Sequence, residues 1–459
     1  MKRFFILFFI SNLLLSAFFI EASRNDNITS RSLPVFTFFE NGHFQIDQYR
    51  NLTMDKSYVN GHYYMDKAPF SSLLVMPLYG ILKTTGIIKA ESPEGALKSI
   101  YVLGGVLCGS VSFSIILLLL FIQLVKLPFS SSISPVLLAM LPFYGSFLFV
   151  FSGAFFGHLL AGMLLLSAYL LLKKENRFIA AGVLSGLAFI TEFPVGIFIF
   201  IWSVQIWLNE KKMKPSLSFI AGALPSVFFL LIYNYYFTGS AFTMLYHYDT
   251  FEGAGFDSAN TLFGFRFPSF NNLWEMIFGQ YRGLLFYMPI LLLIGLELYK
   301  HFSKPNRSEL LKNYLLIPCV LFFLLILSMG DNRCWGGWTY GPRYLIPIIT
   351  LLAYEGILFL ATQTFSKWLF AFLSLVGITF AWLAKSTITI SNPSEIQHPV
   401  FDFILPKMMN GEFNSNNLLT MLFNIPPDIA CYTWIALFIG TIILLSSLYR
   451  TLQTKQGNH

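Results

Sequence analysis

Apolar runs close to twenty residues long recur from one end of the chain to the other, separated by short polar intervals. As a helix rising 1.5 Å per residue, such a run covers the ~30 Å hydrocarbon layer of a bilayer. The pattern predicts a first span over 1–20. Further spans are predicted at 96–125, 134–151, 156–172, 178–191, 194–208, 216–237, 283–299, 314–329, 344–361, 368–384 and 432–448, about twelve in all. The run at 70–82 is shorter, contains Pro77 and runs into Lys83. Its status decides the sidedness of everything after it. If it spans, the loops carrying Lys173, Lys174 and Arg177, and Lys211, Lys212 and Lys214, fall outside. If it lies in the interface, these loops, Lys126, Lys367 and the basic tail all fall inside, as the positive-inside rule requires.

The expected fold is therefore an all-α polytopic membrane protein with both termini in the cytoplasm. Its first extracytoplasmic loop (21–95) carries amphipathic interfacial helices, one over 32–40 ending at Asn41-Gly42 and one over 70–82. A transmembrane core (96–384) follows, with outer loops at 238–282 and 330–343, then a late outer loop (385–431), a last span and a tail (432–459). The basic start Lys2-Arg3 before an apolar run, with no small-x-small site after it, reads as an uncleaved first span.

Composition supports this reading: 55% of residues are hydrophobic and 12% charged, outside the range of soluble domains. The net charge of +7 comes from short loops between spans, so it is an orientation signal rather than a nucleic-acid footprint. Cys108, Cys319, Cys334 and Cys431 show no metal-ligand spacing, and Cys334 and Cys431 fall on one side, where a disulfide is open to them.

In so apolar a chain the polar first loop stands out. It holds Asp26, Arg31, Glu40, Asp47, Asp55, His62, Asp66 and Lys67, and two echoing segments, NGHFQID (41–47) and NGHYYMD (60–66). Other unusual polar residues, His158, Glu192, Tyr281, Arg282 and the stretch 331–344, fall on the same predicted face. Polar groups are costly at membrane depth, so their convergence suggests one site at the outer boundary.

Asp26, just after the first span, is either a solvated acid or a carboxylate placed to take a proton from an acceptor hydroxyl or to ligate a cation. Asp47 faces the same cavity or stabilises a turn. His62, Tyr64, Asp66 and Lys67 either bind a sugar phosphate or anchor the interface. Arg343, preceded by Gly341-Pro342, is the strongest phosphate-binding candidate, because guanidinium binds phosphate bidentately. Trp338, Tyr340 and Arg282 are candidate neighbours, with Trp335 lining a ligand or joining an aromatic belt.

The motif order resembles the GT-C glycosyltransferases. It is similar to bacterial members related to the protein O-mannosyltransferases and the lipid A aminoarabinose transferases. The resemblance is carried by RNDNITSR (24–31), NGHFQID, NGHYYMDKAPF (60–70, with Met65 where Ser is frequent), YNYYFTGSAF (233–242), YRGLLFYMPILLL (281–293) and WGGWTYGPRYLIP (335–347). The late loop 385–431 matches no part of the pattern.

The resemblance implies transfer of a sugar from a polyprenyl-phosphate donor to a lipid, glycan or protein acceptor of the cell envelope. The reaction would be an inverting displacement at the periplasmic or exterior face of a multi-pass inner-membrane protein. Asp26 would be the base, and Lys67 and Arg343 the phosphate contacts. Where relatives have a second acid beside the first, this chain has Asn27. A divalent cation is therefore left open, with Asp47 or Asp66 as substitutes, and no other cofactor is implied. The weighed alternatives are a polyprenol-linked glycan polymerase or ligase and a lipid-linked sugar transporter.

Overall fold

The computed structural model describes residues 1–89, 92–127, 133–173, 177–250, 266–303, 307–329 and 334–457. Lys174, the middle of the 238–282 loop and Asp331, all used above, lie outside the described residues.

The expected apolar segments are helical, but their lengths are unequal. Six helices are long and apolar enough to cross a membrane: Pro93–Leu124, Phe193–Glu210, Met213–Thr238, Arg343–Ala361, Lys367–Thr387 and Pro427–Thr454. A seventh crossing forms if Pro135–Tyr144 and Phe147–Gly153, bent by 70°, act as one span. The chain is thus a helical membrane protein, with six or seven full-length spans among the described residues where about twelve were expected.

The shortfall has local causes. The 134–151 run breaks after Pro142, where the Ser146 hydroxyl accepts from Leu148 N at 3.2 Å and starts a new helix. The 283–299 run splits into Leu284–Tyr287 and Leu291–Phe302 around Pro289, which has no N–H to continue the ladder. His158–Leu172, Phe178–Phe189 and Leu316–Leu327 are apolar but short.

Small residues hold neighbouring helices together. Phe178–Phe189 lies along Met213–Thr238, and a Cβ on Gly182 or Gly222 would strike the carbonyls of Phe219 and Ile179. Such close approach suits a medium in which apolar side chains gain little by leaving lipid.

After helix α1 (Lys2–Ser16) comes α2 (Asp26–Asn41). The Asn25 side chain caps α2 by accepting from Asn27 N at 3.1 Å, and Asp26 places negative charge in its first turn. Gly42, at φ 74°, ends it, as the Asn41-Gly42 pair predicted. Its start and setting differ from expectation. The helix begins at Asp26 rather than Ser32, and every residue from Asn27 to Thr37 is buried. It is a core helix rather than a surface one, because α3 (Phe70–Thr84) and the helix opening at Pro93 pack against it. The Ser72 hydroxyl donates to Arg31 O at 2.7 Å, and Thr29 bonds the Tyr101 hydroxyl at 3.0 Å. Helix α3, at 15 residues, extends about 22 Å, too short to span upright.

Between α2 and α3 a two-stranded antiparallel hairpin, β1 (Ser57–Val59) and β2 (His62–Tyr64), departs from the all-α expectation. Asn60 and Gly61 both have positive φ (52° and 88°), the geometry that tight hairpins draw from an Asn-Gly pair.

The late segment 385–431 folds back onto the start of the chain. Ile20 N donates to Asn416 O at 3.2 Å and Leu418 N to Phe18 O at 2.9 Å. Asn416 Nδ2 donates to Glu21 at 2.8 Å. All four cysteines are buried, and the Cys334–Cys431 disulfide left open above is not formed.

Candidate functional site

A cavity of about 1500 Å³ opens where the N-terminus of α2, the turn 335–339, helix Phe270–Phe278 and the segment 391–397 meet. Asp26 lines it. Its Oδ1 accepts from Met54 N at 2.7 Å and its carbonyl from the Thr53 hydroxyl at 2.8 Å. The carboxylate is thereby fixed at the helix end, and its other oxygen has no bonded partner among the described residues.

Arg343 lines the same cavity. Three glycines shape the chain around it: Gly336, Gly337 and Gly341, at φ 83°, 65° and 65°. A Cβ on Gly336 would lie 2.9 Å from Arg343 Cγ, so only glycine lets the turn pass over the arginine stem. The guanidinium sits over the rings of Phe156 (5.3 Å) and Tyr344 (5.0 Å). Its Nη2 reaches the Tyr344 hydroxyl at 3.3 Å, and its buried Nε has no partner among the described residues. No described carboxylate pairs with it.

Arg24, also in the cavity wall, donates to the carbonyls of Leu52 at 2.8 Å and Asn51 at 2.7 Å, whereas Lys67, beside the wall, is neutralised by carboxylates. Lys67 lies 3.0 Å from Asp55 and 2.6 Å from the buried Asp66. Asp66 also accepts from the Ser30 hydroxyl at 3.0 Å. Burial tends to raise the carboxyl of Asp55, but Lys67, Arg343 and Arg31 outweigh it and hold it below its ordinary value. Asp66, fully enclosed, is pushed up by burial despite Lys67. Burial disfavours the Lys67 ammonium, yet its two carboxylates keep it firmly protonated. Asp55 lines the cavity; Lys67 and Asp66 stand behind it.

A second buried network holds Arg31. Its Nη2 lies 3.2 Å from Glu192 Oε1, which is also 3.2 Å from His158 Nδ1. Its Nη1 donates to the Asn27 side-chain oxygen. Burial raises the Glu192 carboxyl, with Arg31 opposing. Asn27, standing where the resemblance expects a second acid, therefore turns its oxygen onto a cation. Among the described residues no group of three or more His, Cys, Asp or Glu is placed to hold a metal. Position 27 therefore supplies no second carboxylate beside Asp26.

The structure thus brings together Asp26, Arg343 and Trp338 at one cavity, with Lys67 and Asp66 behind its wall. The other predicted residues lie apart. Asp47 accepts from His62 Nδ1 (2.7 Å) and Tyr63 N (2.6 Å), fastening the hairpin. Tyr64 packs against Phe237 at 5.0 Å. Tyr340 is buried against Tyr287 at 4.6 Å. Arg282 is fully buried and donates to the carbonyls of Tyr281 (2.7 Å) and Gly337 (3.1 Å), bracing the glycine turn from behind.

Sequence reasoning passed over Asp55, Asn25 and the pairing of Arg31 with Glu192. The spacing of Asn27 and Arg31, one turn apart on a helix, was the available signal for half of that pairing.

A structural comparison finds a likeness to the crystal structure of ArnT from Cupriavidus metallidurans bound to undecaprenyl phosphate. It covers 99% of this chain and 72% of that one, at 12% identity and a TM-score of 0.49. No protein-family model matches the chain, and no curated protein matches it.

Proposed function

We propose that the protein is a membrane glycosyltransferase of the GT-C type. It would transfer a sugar from a polyprenyl-phosphate donor to an envelope acceptor on the extracytoplasmic face, by inverting displacement. The observation that carries the proposal is Arg343. It is a cation with an unpartnered buried Nε and no carboxylate partner among the described residues, set in the wall of the cavity that Asp26 also lines. A guanidinium left in that condition is suited to a phosphate. The sequence motifs around both residues and the basic loops that set the sidedness support the same reading.

In the reaction, the acceptor hydroxyl oxygen attacks the anomeric carbon. The bond from that carbon to the phosphate oxygen breaks, and its electron pair leaves with the polyprenyl phosphate. The hydroxyl proton passes to the free oxygen of Asp26. Arg343 stabilises the charge gathering on the leaving phosphate. Lys67 acts at one remove, holding Asp55 in the wall.

The test is a transfer assay with the full chain in nanodiscs and a panel of polyprenyl-phosphate-linked sugars. Asp26→Asn should lower the maximal rate about 100-fold or more while changing donor KM little. Arg343→Ala should raise donor KM about 10- to 100-fold, as expected for a lost charge-assisted contact. Full activity in the first variant removes Asp26 as the base, and an unchanged donor KM in the second removes Arg343 as the phosphate contact.

A further inference from the structure

The cavity holds more than the phosphate end requires. At about 1500 Å³ it exceeds the ~300–1000 Å³ typical of small-ligand pockets, and its wall carries groups besides Arg343. Tyr281, Trp335 and Trp338 present aromatic surface; Asn271, Glu275 and Gln397 present amide and carboxylate groups. Met54 is the one aliphatic side chain among the described lining residues, and no Leu, Ile, Val or Phe contributes. A wall of this kind offers few aliphatic side chains to an acyl or prenyl chain. It does match a polyhydroxylated ring, whose C–H face packs on aromatic rings while adjacent hydroxyls bond amides and carboxylates.

The wall is also built as a unit. Tyr281 meets the Trp335 ring at 5.9 Å, and its hydroxyl donates to Ser394 O at 2.8 Å. Segment 391–397 is fixed to the tryptophan turn by Asn392 N donating to Trp338 O at 3.3 Å. It is fixed to the start of α2 by Asn25 Nδ2 donating to the Ser391 hydroxyl at 3.3 Å. Asn25 immediately precedes Asp26, so a ligand on this wall lies next to the proposed base.

We infer that this wall is a carbohydrate subsite, and that the acceptor is a glycan whose hydroxyl it delivers to Asp26. The inference rests on the glycosyltransferase reading for its chemistry, but the subsite is defined by its own residues. It gives the late segment a part in ligand binding beside its packing on the start of the chain.

The test uses the full chain in nanodiscs. Retention of neutral gluco- and N-acetylgluco-trisaccharides is measured beside that of a Ser/Thr-rich peptide, and binding of polyprenyl phosphate is measured separately. We expect a trisaccharide to be retained in preference to the peptide. Trp338→Ala, at a residue 62% exposed and so tolerant of replacement, should weaken that retention at least fivefold, and Gln397→Ala should weaken it by less. Retention of no trisaccharide, preference for the peptide, or retention unchanged in both variants overturns the subsite. If polyprenyl phosphate binds through Arg343 in those cases, the donor reading survives alone. Trisaccharide retention without polyprenyl-phosphate binding supports the subsite and overturns the donor reading.

Discussion

The contrast between Arg31 and Arg343 shows how neighbouring identical side chains acquire different roles. Arg31 meets Glu192 and the Asn27 oxygen, with its side chain 3% exposed; Arg343 meets aromatic faces and one hydroxyl. The first is therefore a structural cation, and the second retains capacity for an external anion. Removing the carboxylate from a buried pair leaves an uncompensated charge, which typically costs about 3–5 kcal/mol. Glu192→Ala should accordingly lower the thermal midpoint markedly in detergent. Glu192→Gln, which keeps an acceptor for Arg31, should lower it less. Equal midpoints in wild type and the alanine variant would show that Arg31 is satisfied without Glu192.

At the scale of elements, the late segment and the first loop are one assembly. Phe19 bridges Asn417, Asn416 bonds Glu21, Lys385 Nζ donates to Phe19 O at 3.2 Å, and Thr339 bridges Ser391. The junction carries a titration of its own. Burial raises the Glu21 carboxyl from 4.5 to about 7, against the opposing influence of its Ser23 bonds and Lys385. Between these two values the folded protein binds the proton that the unfolded chain has released. The stabilisation is therefore full below about pH 4.5 and is lost as pH rises through about 7, at up to about 1.4 kcal/mol per pH unit. Thermal midpoints should fall between pH 5 and 7 in wild type, and that slope should flatten in Glu21→Gln. A slope identical in the two proteins would place the titrating group elsewhere.

For the whole molecule, sidedness is the decisive property, since it places the cavity outside or inside the cell. Helices α1, α3 and His158–Leu172, each 15 residues long, all bear on it. Helix α3 carries Pro77 inside it and Lys83 in its last turn and packs on α2, which suits an interfacial element better than a crossing. A reporter fused after Lys174 should then read cytoplasmic. An external reading would make α3 a true crossing and invert every later loop.

The apolar runs made the helical membrane class legible, because exclusion of unpaired backbone from hydrocarbon leaves few alternatives. Asn41-Gly42 marked the end of α2, since a left-handed cap is encoded by adjacent residues, whereas the hairpin at 57–64 was not foreseen. Asp26 and Arg343 were legible as candidates because charge at a span boundary is conspicuous. Which charges remain available was not legible. Glu192 lies 161 positions from Arg31, and Asn416 lies 395 from Glu21; only packing decides such pairings. The same holds for α2, whose amphipathic pattern suggested a surface and whose neighbours enclosed it, and for 391–397, silent as sequence until it closed the cavity wall. Local geometry and solvent preference are properties of short segments and can be read along the chain. The condition of a charge, paired or free, depends on what the fold brings beside it.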